Sequence, residues 1–146
     1  MISTPGGSVM NGMNLYNVMR ALPFKLVTHN VGNVDSIGNA IFLAGEERYA
    51  APNTTFMFHG VGTSGNGARL EQKNLREMLD SIEADQLRIA AIIEQHTDLN
   101  PSEVADLFLE ARTKDTAFAI SHGIIHDVRD VEIPPGAPVV SLVFQR

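Results

Sequence analysis

A strand, a helix and a second strand follow one another within the first 58 residues. Residues 24–28 and 55–58 are short runs of aromatic, β-branched and apolar residues bounded by turn formers, a pattern typical of buried strands. Between them a helix is predicted to begin near Ser36 and to end at Gly45. Its predicted apolar face consists of Ile37, Ala40, Ile41 and Ala44. Two buried strands joined by a helix predict an α/β fold.

Two amphipathic helices flank this unit. The first is predicted over residues 8–22 and ends before Pro23; its predicted apolar face is Leu15, Val18, Met19 and Leu22. The second and longest is predicted over residues 68–96. Its apolar side consists of Leu75, Met78, Leu79, Ile82, Ile89, Ile92 and Ile93. Exposed on an isolated subunit, that side would form an unusually large apolar patch, so it predicts assembly with further copies of the chain.

The last third of the chain carries clear helix start signals. Asn100, Pro101 and Glu103 form a capping box with proline in the first helical position. Asp115 is predicted to cap a short helix that Gly123 ends. Strands are predicted over 124–128 and 139–144, with a stiff turn rich in proline between them, and residues 60–67 are predicted to form a mobile glycine-rich loop.

Composition excludes several classes of function. The formal charge is 11 − 17 = −6 with no basic stripe, which argues against a nucleic-acid partner. The chain has no cysteine, so disulfides, thiolate metal sites and a cysteine nucleophile are excluded. No apolar run reaches the roughly 20 residues of a membrane helix. We expect one domain over residues 1–146, a cytoplasmic location, no membrane association, and no metal or cofactor.

Three places combine a reactive side chain or an accessible amide with glycine. Ser36 lies in the first turn of a helix, where free N–H groups and the positive end of the dipole stabilise an oxyanion. His59 follows a buried strand, where it can accept the serine proton as general base. The glycines of the turn at residues 5–7 let the main chain approach a substrate carbonyl closely. Each feature alone is more often a helix cap or a hydrogen-bonded histidine.

The order of these segments resembles the Clp protease proteolytic subunit family. The matching segments are STPGGSV, GNVDSIGNAIFLAG and APNTTFMFHG, followed by a weaker match at AISHGIIHDV with His122 in place of a tyrosine. The separation of Ser8 and Ser36, 36 − 8 = 28 residues, agrees with the family pattern. The resemblance covers nearly the whole chain.

The resemblance implies a crotonase-like spiral of βα units with a long protruding handle helix, here residues 68–98. It implies that Ser36 is the nucleophile, that His59 is the general base, and that the amides of Gly7 and Ile37 form the oxyanion hole. The implied activity is that of a serine endopeptidase. Such an enzyme cleaves unfolded proteins or peptides through an acyl-enzyme, within a chamber that copies of the chain enclose through their handles.

The third member of the catalytic triad departs from the family pattern. Ala111 stands where the family has its aspartate. We favour Glu110, one position away, over Asp106 and Asp115, which have helix and cap interpretations. A solvated carboxylate at the end of a helix is an equally good interpretation of Glu110. Asp35, next to the proposed nucleophile, is interpreted as a helix cap.

The match begins at the Pro-Gly-Gly turn, so the family's first strands and its axial loop are expected to be missing. That loop meets an AAA+ unfoldase; the resemblance implies such a partner, although the elements that dock it are expected to be missing. The four remaining histidines are interpreted as structural or surface groups: His29, His96, His122 and His126.

Two other functions remain open. A non-catalytic ring subunit or scaffold of the same fold is suggested by Ala111 and by the missing start. A crotonase-type enzyme acting on acyl thioesters ranks last, because no adenine-binding or paired-glutamate signal is present.

Overall fold

The computed structural model describes residues 1–63, 67 and 69–141. The strands are β1 (Ile2–Thr4), β2 (Val27–Asp35), β3 (Glu47–Ala50), β4 (Thr55–Met57), β5 (Thr113–Lys114) and β6 (Asp127–Val128). The helices are α1 (Val9–Arg20), α2 (Gly38–Leu43), α3 (Gln72–His96), α4 (Pro101–Glu110) and α5 (Thr116–Ser121).

The sheet is organised around β2. Its order is β5-β4-β2-β3-β6, with β1 also paired to β2. The first half of β2 pairs with β3 and its last three residues pair with β4, all in parallel; the β4–β5 pair is antiparallel. The interior beside it contains Val34, Phe42, Leu43 and Phe56, each at most 1% exposed. Helix and strand alternate through this region, and the predicted α/β architecture is confirmed.

The strand predicted over 24–28 was placed too early. Phe24 is 61% exposed, and β2 begins only at Val27 and extends to Asp35. The full length of β2 was not recognised because two of its buried side chains are polar. Thr28 Oγ1 donates to the Phe42 carbonyl at 2.8 Å and Asn30 Nδ2 donates to the Thr55 carbonyl at 2.9 Å. Such bonds make polar side chains compatible with burial, so apolar patterning alone underestimates the strand.

The face of α1 predicted to be buried was wrong except at Met19, which packs against the core. The helix itself is confirmed, with Ser8 as its cap, but Leu15 and Val18 are exposed and the buried residues are Gly12 and Tyr16. A Cβ at Gly12 would lie 2.3 Å from Ile37 Cγ1, so only glycine permits this approach of α1 to the start of α2. Close backbone approach, rather than side-chain hydrophobicity, selects the buried face.

The long helix is confirmed but begins later than residue 68, at Gln72. Its second half is anchored by the buried residues Ile89, Ile92 and Ile93. On the first half, Leu75 and Leu79 are each 53% exposed. The predicted start at residue 68 and part of the predicted mobile loop, residues 64–66, lie outside the described residues.

The helix caps of the last third are confirmed. Asn100 Oδ1 accepts from the N–H groups of Ser102 and Glu103, and the Glu103 carboxylate accepts from the Asn100 N–H. Asp115 accepts from the Phe118 N–H at 2.9 Å, and α5 ends before Gly123, whose φ is +66°.

Of the two strands predicted near the end of the chain, the first forms only in part. Only β6 forms within 124–128, because Ile124 and Ile125 are buried in the preceding turn. Residues 139–141 carry no strand, and the rest of the segment predicted over 139–144 lies outside the described residues. Three short strands were missed altogether: β1, β3 and β5.

No helix in the described ranges combines the length and apolar character needed to cross a bilayer. Within the same ranges, no three side chains of His, Cys, Asp or Glu are grouped as a metal site requires.

A buried arginine joins the ends of several elements. Arg48, on β3, is 7% exposed. Its guanidinium donates to four carbonyls: those of Gly45 at 3.1 Å, His96 at 2.8 Å, Gly123 at 2.9 Å and Ile124 at 2.8 Å. Burial lowers the pKa of Arg48, and the charge of Asp98 opposes that shift. One side chain therefore connects β3 to the ends of α2 and α3 and to the turn before β6.

Replacing Arg48 should destabilise the fold strongly. Arg48→Met keeps most of the buried volume but leaves these carbonyls without donors, and we expect a loss of about 3 kcal/mol or more in the free energy of unfolding. Urea unfolding measures it. Lys25→Met is the control, because it removes only an exposed ion pair with Glu47 and should shift the midpoint far less. Equal shifts for the two variants would contradict the role assigned to Arg48.

The contact between α3 and α1 should make stability depend on pH. Tyr16 Oη and His96 Nε2 are 2.9 Å apart. Burial, and then the nearby charges of Arg20 and Arg48, lower the pKa of His96. In the unfolded chain a histidine has a pKa of about 6.5, so the unfolded chain binds a proton at His96 more readily than the folded chain does.

Stability should consequently fall as the pH drops below about 6.5 and level off below the lowered pKa of His96. The unfolding free energy of the native chain and of His96→Gln, measured between about pH 5 and 8, checks this. The acid-side decrease should be smaller in the variant. Parallel curves for the two proteins would show that His96 does not contribute.

Candidate active site

Ser36 lies at a sharp turn between β2 and α2. Its φ is +57°, in the left-handed region that few residues other than glycine adopt. Its N–H donates to the Met57 carbonyl at 2.8 Å. The Asn39 side-chain amide donates to that same carbonyl at 2.9 Å and to the Ser36 carbonyl at 3.1 Å. Strain of this kind costs about 1–3 kcal/mol and concentrates at functional sites.

The glycine turn before α1 lies directly against Ser36. A Cβ at Gly6 would be 2.6 Å from Ser36 Cβ and 3.2 Å from Ser36 Oγ, so no other residue fits. Gly6 and Gly7 both have positive φ, +89° and +150°. The Gly6 N–H is held by Thr4 Oγ1 at 3.1 Å. Among the described residues, the N–H groups of Gly7 and Ile37 donate to no protein acceptor. Within this part of the chain, a ligand would not have to displace a protein acceptor from either amide.

His59 follows β4 by two residues. β2 and β4 are parallel with Asp35 opposite Met57, so Ser36 and His59 both leave the sheet at its carboxyl edge. His59 Nδ1 lies 2.7 Å from the Gly60 carbonyl oxygen. The Gly60 N–H donates to the Phe108 carbonyl at 3.2 Å, which attaches the histidine segment to the end of α4.

The structure does not bring Glu110 into hydrogen-bond contact with His59. The Glu110 carboxylate accepts from Lys114 Nζ at 2.8 Å, and this bond lowers the pKa of Glu110. Ala111 ends α4 with φ of +48°. Met57 pairs with Thr113 in the antiparallel β4–β5 pair, so extending that register by two residues places Ala111 opposite His59. The assignment of Glu110 as third triad member stays a prediction.

The capping role predicted for Asp35 is wrong. Its carboxylate accepts from Asn33 Nδ2 at 2.6 Å, whereas α2 has Ile37 at its N-cap position and no side-chain cap. Asn39, inside α2, supplies the side-chain bonds at this turn instead.

The other four histidines make structural bonds, as predicted. His29 Nε2 contacts the Arg129 carbonyl and His122 Nδ1 contacts the Phe118 carbonyl. His96 contacts Tyr16, and His126 Nδ1 accepts from the Arg48 N–H.

A cleft of about 650 Å³ begins at the glycine turn. It lies between the start of α1, the segment that follows His59, and the first half of α3. Neither Ser36 nor His59 lines it, but Gly7 and Val61 do, so it adjoins both segments of the candidate site. Its walls include Val9, Met10, Val61, Leu70, Met78 and Ile82. Glu77 and Asp85 also line the cleft, which can receive side chains of an extended polypeptide that passes the glycine turn.

Sequence reasoning missed two groups at this site. Asn39 was assigned no role, although its position three residues after a serine at a helix start signals a side chain that returns to the turn. Gln86 Oε1 accepts from the Val61 N–H at 3.3 Å. The two residues are 25 positions apart, so no local sequence pattern predicts this contact.

Comparisons with known proteins agree with the resemblance stated above. A family model described as Clp protease matches residues 1–132. Subunit 3 of the ATP-dependent Clp protease proteolytic component from Streptomyces coelicolor is 30% identical over 108 residues, which cover 71% of this chain and 48% of that protein. Subunit 2 from Thermobifida fusca is 37% identical over 75 residues, which cover 47% of this chain and 37% of that protein.

The solved structure of a ClpP1 point mutant from Listeria monocytogenes is similar, with a TM-score of 0.76 over 89% of this chain and 71% of that chain, at 21% sequence identity. This likeness confirms the predicted ClpP-like α/β fold with its long helix. The chain spans less than half the length of the two curated relatives. Because the family model matches all but the last residues of the sequence, the chain belongs to the Clp protease family.

Proposed function

We propose that the chain is a serine peptidase that cleaves unfolded polypeptide segments through an acyl-enzyme at Ser36. The observation that carries the proposal is the position of the glycine turn, where a Gly6 Cβ would lie 3.2 Å from Ser36 Oγ. The amides of Gly7 and Ile37 donate to no protein acceptor among the described residues, which supports their assignment as the oxyanion hole. A nucleophile next to free donors is the arrangement that acyl transfer requires.

In the first half-reaction His59 Nε2 accepts the Ser36 proton while Oγ bonds to the substrate carbonyl carbon. The carbonyl oxygen becomes an oxyanion that accepts hydrogen bonds from the Gly7 and Ile37 amides. The C–N bond then breaks and the leaving amine takes the proton from His59. In the second half-reaction water replaces the amine, with His59 again moving the proton, and Ser36 is released.

Assembly into an oligomeric chamber is part of the proposal. Leu75, Leu79 and Leu87 are exposed on α3, and burial of such side chains favours association of apolar helix faces. The handle helix would then serve as the contact between copies of the chain. Location in the cytoplasm and an AAA+ unfoldase partner stay predictions.

A non-catalytic scaffold of the same fold is the second candidate. It is favoured by the Lys114 contact of Glu110, since that bond engages the carboxylate nearest to the triad position. Ala111, at that position, offers no carboxylate. Chemical labelling separates the two functions, because a scaffold has no activated serine.

A fluorophosphonate probe should label the folded, assembled chain at Ser36. Ser36→Ala should abolish labelling, and His59→Gln should slow it about 10²-fold or more, because loss of the general base removes the deprotonation of Oγ. Mass spectrometry of the labelled peptide locates the adduct, and its accumulation with time gives the rate.

Ser121→Ala is the matched control. Ser121 Oγ lies at the end of α5, outside the candidate site, 2.9 Å from His122 Nδ1 and 3.0 Å from the Phe118 carbonyl oxygen. This variant should label as fast as the native chain. Labelling that persists in Ser36→Ala, or a native chain that remains unmodified, would contradict the peptidase.

A further inference from the structure

His59 Nδ1 contacts the main-chain carbonyl of Gly60. In a serine protease triad the corresponding nitrogen contacts a carboxylate. We infer that the Gly60 carbonyl orients His59 for proton transfer with Ser36, and that Gln86 on α3 is the positioning residue that holds this carbonyl in place. The inference rests on the proposed function and deepens it: the site operates as a serine–histidine dyad whose imidazole is aligned by the backbone.

The contact fixes the position of the imidazole proton. A carbonyl oxygen can only accept, so at 2.7 Å the bond to the Gly60 oxygen requires a proton on His59 Nδ1. In the neutral ring the lone pair is then on Nε2, the nitrogen that must accept the serine proton. The same tautomer is the one that an aspartate selects in a complete triad.

Gln86 controls where that carbonyl points. The Gly60 carbonyl and the Val61 N–H belong to one peptide group, which is planar and rotates as a unit. Gln86 Oε1 accepts from the Val61 N–H at 3.3 Å. The residue on the other side of the carbonyl is held as well, because the Gly60 N–H donates to the Phe108 carbonyl. The Gly60–Val61 peptide is thus held from α3, and the His59–Gly60 peptide before it is held from α4.

A side chain at residue 60 would push Gln86 Oε1 aside. A Cβ there would lie 2.9 Å from Gln86 Oε1 and 3.9 Å from the Phe108 carbonyl oxygen. Glycine therefore lets α3 approach the peptide closely enough for Gln86 to reach it. Position 111, opposite His59 in the extended β4–β5 register, is an alanine and brings no carboxylate.

The first test is the tautomer of each neutral histidine, read from ¹⁵N chemical shifts of the folded chain above the pH at which imidazoles titrate. His59 should carry its proton on Nδ1. Two histidines serve as internal references of the opposite tautomer. His29 Nε2 donates to the Arg129 carbonyl, and His126 Nδ1 accepts from the Arg48 N–H. A proton on His59 Nε2 would overturn the inference.

The second test replaces Gln86 and measures peptide hydrolysis. Gln86→Leu removes the acceptor with little change in size, and we expect kcat to fall about tenfold with KM nearly unchanged, since one hydrogen bond that aligns the base is lost. The ¹⁵N spectrum of this variant should show His59 as a mixture of tautomers. Gln86→Glu keeps the acceptor oxygen and should recover kcat to within about threefold.

Gln95→Leu is the matched control, because it makes the same change at an exposed position of the same helix. It should behave as the native chain. The inference fails if Gln86→Leu equals Gln95→Leu, or if Glu110→Gln lowers kcat about 10²-fold, which would return the role to a carboxylate. Probe labelling of Ser36 is scored separately: its absence overturns the peptidase, whereas labelling with His59 protonated on Nε2 overturns only the inference.

Discussion

The candidate site depends on one backbone hydrogen bond, from the Ser36 N–H to the Met57 carbonyl. It continues the β2–β4 pairing one residue past the end of β2, and it holds Ser36 in its left-handed conformation. Because His59 follows Met57 by two residues, the same bond attaches the turn to the chain just before the histidine. Asn39 reinforces it by donating to the same carbonyl. The β2–β4 pairing and this bond together place the serine turn beside the histidine segment.

Close packing supplies the rest of the geometry. Gly12 lets α1 meet Ile37 and Gly6 lets the glycine turn meet Ser36, so two glycines bring the first segment of the chain onto the β2–α2 turn. At the opposite end of the strands, Arg48 connects the C-terminal ends of α2 and α3. α3 is therefore fixed where its side chain Gln86 contacts the segment after His59. The handle helix has both an exposed apolar half and a half that supports the candidate base.

The sequence predicted those features that local chemistry determines. The capping box of α4 and the Asp115 cap depend on residues within three or four positions of one another, and both were confirmed. β1, β3 and β5 were missed because each has only two to four residues, too few to show an alternation of apolar and polar side chains. Each forms a strand only by pairing with a segment that is distant in sequence. The face of α1 was wrong because Gly12 is selected by clearance from Ile37, which no hydropathy pattern records. Glu110 was chosen as the nearest carboxylate, yet the partner of His59 in the structure is a carbonyl, a group present in every residue and therefore invisible in a sequence.

The most direct measurement of the central claim is a crystal structure of the chain after reaction with a peptide boronate. The account predicts a bond from Ser36 Oγ to boron, with one boronate oxygen about 2.7–3.1 Å from the Gly7 and Ile37 amide nitrogens and His59 Nε2 facing the adduct. A boronate bound to another residue, or one attached to Ser36 with its oxygens turned away from both amides, would contradict the account.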